Sequence, residues 1–168
     1  MTASRRVGLL LVTFALVGAA GPAQGYVRTR TSRDHPVAWH RSCVFLTPHA
    51  DLAADPDRMA ALEASAATWS DVGCSYLSLV VEPAQADAAV GFDEAGLNTN
   101  VVVLVEADWP HDPAAAGLTT LTYLSSSSSD VDGEVVDADV ELNLAGFEFA
   151  TDGRADAHDL ANVLTHEL

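Results

Sequence analysis

The chain has 168 residues, 49% of them hydrophobic, and a formal charge of −16 arising from 24 acidic residues against 8 arginines, with no lysine. A surface of that sign repels phosphate backbones and anionic lipid, which excludes nucleic acid and a membrane surface as partners. The hydrophobic content, arranged in periodic segments, excludes a disordered chain.

Residues 1–25 have the make-up of an export signal. Arg5 and Arg6 charge its start, Val7 to Ala20 is apolar, and Ala23-Gln24-Gly25 supplies small residues at the cleavage spacing. The apolar run is too short for a comfortable bilayer span, and no second segment approaches that length. The expected product is secreted, begins near Tyr26, and forms one domain over residues 26–168.

After a polar lead over residues 26–36, residues 37–46 predict a first strand ending at Thr47-Pro48. Asp55 then caps a helix with Pro56 at its first position, where the missing N–H does no harm. Met59, Leu62, Ala66, Trp69 and Val72 recur at three- and four-residue steps, which assigns Trp69 to the core, and Gly73 ends the helix. Residues 76–81 read as a buried strand and residues 88–92 as another short one. The β-branched run 101–105 suits a strand covered on both faces. Residues 109–113 break it, with Trp109 as a loop anchor. Residues 118–124 alternate apolar and threonine side chains as an edge strand does. Five serines form a loop over residues 125–129, and residues 134–142 alternate again as a strand.

The two cysteines, Cys43 and Cys74, form an even pair in a chain expected to be exported, and are read as a disulfide. The bridge would close a loop of about 30 residues and stabilise the fold by roughly 3–4 kcal/mol. The competing reading is a free thiolate available to a metal.

The last ten residues carry the chemistry. Asp159 is placed to cap a helix, and Leu160, Val163, Leu164 and Leu168 fall at helical spacing with no Gly or Pro between them. That helix bears His166-Glu167. In the H-E-x-x-H arrangement two histidines one turn apart hold zinc, and the glutamate beside the first is general base toward the zinc-bound water. His166 and Glu167 begin that arrangement and Leu168 fills its next position.

Three stretches together resemble the bacterial matrixin-type metzincins, secreted zinc endopeptidases with the signature H-E-x-x-H-x-x-G-x-x-H and a Met-turn. They are Ala67-Thr68-Trp69-Ser70, then Gly133-Glu134-Val135-Val136-Asp137-Ala138-Asp139-Val140-Glu141-Leu142-Asn143, then the segment from Asp159 to Leu168. The resemblance spans residues 37–168. It implies an α/β, zincin-like fold: a twisted mixed sheet, mostly parallel with one antiparallel edge strand, packed on a long helix, with the active-site helix below the cleft. It implies that a protein or peptide substrate lies extended against the edge strand, here Gly117, Leu118, Thr119, Thr120 and Leu121. It makes His166 a catalytic zinc ligand and Glu167 the base. By the same likeness the other zinc histidines and the Met-turn fall beyond Leu168, so the polypeptide as written is expected to be inactive. Glu141 falls where a structural-zinc histidine of the animal members would be, so no structural zinc is expected.

Asp130, Asp132, Asp137, Asp139 and Asp152 are read as solvated turn acids, with a calcium role for Asp137 and Asp139 as the competing reading. His35, His40, His49 and His111 share no ligand spacing and are assigned nothing. His158 is read as an exposed histidine at the helix start. The second functional class is an exported non-catalytic module of protease-like fold that binds calcium or a protein partner.

Overall fold

In the computed structural model, which describes residues 28–168, the β-branched run at Val101 becomes the central strand of a five-stranded sheet. The strands are β1 (Cys43–Pro48), β2 (Ser78–Val81), β3 (Asn100–Val105), β4 (Gly117–Tyr123) and β5 (Val135–Asn143), in spatial order β2-β1-β3-β5-β4. The first four in that order run parallel, and β4 lies antiparallel to β5 at the edge. This is the mixed α/β sheet, mostly parallel with one antiparallel edge strand, that was expected. The export signal lies outside the described residues. Among the described residues no helix is long and apolar enough to cross a membrane.

Three helices follow from local chemistry. His49 caps the short α1 (Ala50–Ala53), and Asp55 caps α2 (Pro56–Ser70) by accepting from the N–H groups of Asp57 and Arg58. Asp159 caps α3 (Leu160–Glu167) by accepting from Asn162 N–H at 2.8 Å. A two-stranded ribbon, β6 (Phe149–Ala150) with β7 (His158–Asp159), leads into α3.

Alternation along the strands sends Val44, Leu46, Val102, Val140 and Leu142 to one face of the sheet. There they meet Leu62 and Ala66 of α2 and Leu160 and Leu164 of α3 in one core. Leu62, Leu142 and Leu164 have no exposed surface. α3 is held to α2 by two further bonds, Ser65 Oγ to Ala161 O at 3.0 Å and Trp69 Nε1 to Thr165 O at 2.9 Å. The opposite face carries Asp137, Asp139, Glu141 and Asn143 of β5 and is covered by loops.

Several expectations are corrected. β1 starts at Cys43 rather than residue 37, because Ala38 instead bridges to Glu134 and donates to Gly133 O. Gly133, at φ 94°, must be glycine: a Cβ there would collide with the Pro36 carbonyl. α2 closes on Asp71, whose N–H bonds Ala67 O, two residues before Gly73. Trp69 is 42% exposed, not core, because its indole reaches sideways to α3. Tyr76 is exposed and outside β2, which is an edge strand with Val80 uncovered. Residues 88–92 form no strand, since Gly91, at φ 130°, turns the chain and gives its N–H to Asp139.

Cys43 and Cys74 are both exposed free thiols, not a disulfide. The pleat of β1 directs Cys43 away from the helix-covered face that its neighbour Val44 occupies, while Cys74 lies in the turn by which the chain leaves α2.

Candidate active site

Burial of Leu160 and Leu164 fixes the rotation of α3 and so the direction of its last two side chains. His166 is exposed, and Glu167 is half-buried against β4. Both line an open cleft of about 380 Å³ with Gly117, Asn162 and Val163. Glu167 also borders an apolar cavity of about 390 Å³ beneath β4, walled by residues such as Val44, Leu46, Leu121, Val140 and Leu168.

The Glu167 side chain is held across β4 at two points. Thr119 Oγ1 lies 2.9 Å from Glu167 Oε2 and 2.7 Å from the Glu167 carbonyl, so its single proton is donated to one or the other. At Gly117 a Cβ would stand 3.0 Å from Glu167 Cγ and 3.1 Å from Oε1, tighter than an ordinary contact. Glycine there leaves the space the carboxylate occupies.

The same strand offers free backbone. Asn143 N–H donates to Ala116 O, and the register pairs Leu118 with Glu141 and Thr120 with Asp139. In an antiparallel ladder the groups facing the neighbour alternate, so the N–H and C=O groups of Gly117, Thr119 and Leu121 point outward from the sheet. The other border differs. Leu79 of β2 donates its outward N–H to Ser70 Oγ of α2 at 2.9 Å, and the one proton of that hydroxyl goes either to Ala66 O at 2.9 Å or to the Leu79 carbonyl at 3.3 Å. β4 is therefore the border open to strand addition.

The acids assigned to solvated turns divide. Asp130 and Asp152 are exposed, whereas Asp132, Asp137 and Asp139 are buried. Asp139 accepts from Gly91 N–H at 2.7 Å and Val101 N–H at 3.1 Å. Burial raises its pKa against the lowering effect of those bonds. Glu141 pairs with His111 Nε2 at 2.9 Å, and His111 stacks edge-on with Trp109. Asp137 is 2% exposed and its Oδ1 meets no donor. Burial, with the Asp139 charge beside it, pushes the Asp137 carboxyl up to about 6. Asp132 is the opposite case. The Ser126 N–H and the Thr31 hydroxyl, helped by His35 and Arg33, hold it at about 2.

Of the residues singled out in the sequence, the fold therefore brings together His166, Glu167, Gly117 and Thr119, and turns Thr120 with Asp137 and Asp139 to the far face of the sheet. Thr119 as a partner of Glu167, and His111 as a partner of Glu141, carry no local spacing signal, being 48 and 30 residues away.

Zinc in a catalytic role takes three protein ligands and a water. Among the described residues no group of three His, Cys, Asp or Glu side chains could hold a metal ion. His166 supplies one imidazole, and Glu167 is turned to Thr119. The described donors alone do not make a catalytic zinc centre. No protein-family model matches the chain, and no curated protein matches it.

Proposed function

We propose that the chain carries part of the catalytic domain of a secreted, zinc-dependent metalloendopeptidase of the matrixin type, with a zincin-like fold. In that reading His166 is one zinc ligand and Glu167 the general base. An extended peptide substrate adds to β4 through the outward backbone groups of Gly117, Thr119 and Leu121. The metal would act as Lewis acid toward the scissile carbonyl, with ligands additional to those described here. The chain's own part is to align the peptide and to hold a carboxylate that accepts a proton beside it.

The observation that carries the reading is the juxtaposition on one edge: an exposed imidazole, a carboxylate half-buried against β4, and a strand whose backbone is free to pair. Neither His166-Glu167 nor an edge strand alone would support it. The test uses the protein as its gene encodes it, purified from culture medium. The expected result is one equivalent of bound zinc, casein cleavage abolished by a chelator, and a fall of about 10²–10⁴-fold with Glu167→Ala. Cleavage that survives Glu167→Ala removes that residue from its role. A zinc-supplemented protein that neither binds the metal nor cleaves casein overturns the assignment.

A second reading, an exported non-catalytic module that holds calcium, draws on the donor-less oxygen of Asp137 next to Asp139. Equilibrium dialysis against calcium distinguishes it: binding lost in Asp137→Asn, in a protein without peptidase activity, favours this reading.

A further inference from the structure

The contact between β4 and α3 carries more than packing. Thr119 has two roles available at one position. Its backbone N–H and C=O point outward along the free border of the sheet, while its hydroxyl reaches the carboxylate and the carbonyl of Glu167. Two residues earlier, on the same face of the strand, Gly117 leaves space that the Glu167 side chain occupies, and a Cβ there would stand only 3.0 Å from its Cγ. A glutamate has three rotatable side-chain bonds, and an unrestrained one would divide its time among several rotamers. Here the space above Gly117 admits the observed rotamer, and the Thr119 hydroxyl lies within hydrogen-bond reach of its carboxylate.

We propose that Thr119 and Gly117 are positioning residues that fix the Glu167 carboxylate relative to the peptide bound along β4. This rests on the peptidase reading of the same site. Because the strand that aligns the peptide is also the strand that holds the base, any displacement of β4 moves both together. The position of the Glu167 carboxylate is thereby referred to the same strand that would align the scissile bond. Displacing a reacting group by about 1 Å lowers a rate by about 100-fold, so the clamp acts on turnover and not on substrate affinity.

The experiment compares Thr119→Val, which keeps the shape and removes the hydroxyl, with Thr119→Ser, which keeps the hydroxyl, in the protein as its gene encodes it. Thr119→Val is expected to lower kcat about 10- to 100-fold with KM within twofold, and Thr119→Ser to restore kcat to within threefold of the parent. Gly117→Ala, which pushes on Glu167 directly, is expected to lower kcat in the same way, and it reads the clamp should Thr119→Val fail to fold by circular dichroism. A kcat that needs Glu167 but is indifferent to Thr119→Val and Gly117→Ala overturns this inference alone. Equal losses in the valine and serine variants mean that the hydroxyl is not the cause, and overturn it as well. Cleavage that persists in Glu167→Ala overturns the peptidase reading first and the clamp with it.

Discussion

Replacing Asp137 by Asn removes a buried charge that the structure leaves without a donor, and the effect has a sign that pH can read. The carboxyl stands at about 6 in the folded chain against an ordinary value of 3.8. The folded state therefore binds a proton more tightly than the unfolded state, and the stability it contributes is fully present below about 3.8 and lost as pH rises through about 6. A shift of about two units corresponds to roughly 3 kcal/mol, and water reaching the rim of the site reduces this to about 1–3 kcal/mol. The groups facing Asp137 are Asp139 and, beyond it, Glu141 with its partner His111, so among the described residues no cation stands next to the carboxylate to reverse the sign. Urea unfolding of both proteins at pH 4, 5, 6, 7 and 8, in the presence of a chelator, gives the test. Asp137→Asn is expected to match the parent at pH 4 and to exceed it by about 1–3 kcal/mol at pH 8. A difference that does not change with pH, or one that favours the parent as pH rises, refutes the argument.

Leu142→Ala empties a position with no exposed surface in the core that the sheet shares with α2 and α3, and is expected to lower unfolding free energy by about 2–5 kcal/mol, read by chemical denaturation. Asp132→Ala frees the segment around Thr31 and His35 from its buried anchor, and faster amide exchange there, with β3 unchanged, is the expected result. The Asp132 carboxyl lies below its unfolded value, so its contribution is present above about 3.8 and lost as pH falls toward 2. As pH falls through about 2, the parent's protection in this segment, corrected for intrinsic exchange, should fall toward that of the variant at neutral pH. Unequal protection at the two would show that another group holds the lead in place.

The start of α2 was legible because Asp55-Pro56 is a local signal, complete within two residues. The β4 and β5 strands were legible because alternation with period two survives in any surroundings. What alternation could not give was the polarity of the second face. Asp137, Asp139 and Glu141 alternate with apolar residues just as solvent-facing acids would, and the loops that reach Asp139 and Glu141, bearing Gly91 and His111, lie some 48 and 30 residues away. Trp69 misled for a related reason. Its spacing fits the apolar stripe of α2, but its place is decided by a hydrogen bond to a helix that begins almost a hundred residues later. Compartment and parity favour a bridge between the two cysteines, but neither registers that the pleat of β1 points Cys43 away from the helices. At the candidate site the sequence supplied His166 and Glu167, and the edge strand as a range. The clamp at Thr119 arises only when β4 and α3 are brought into contact.

The serine at the end of α2 has a consequence for how copies of this molecule behave in concentrated solution. Sheets with two unguarded margins can stack side by side into ribbons without limit, each copy offering what the next one needs. With Ser70 bonded to the Leu79 N–H in the middle of β2, a strand arriving at that margin would first have to displace the hydroxyl, a cost that one arriving at β4 does not meet.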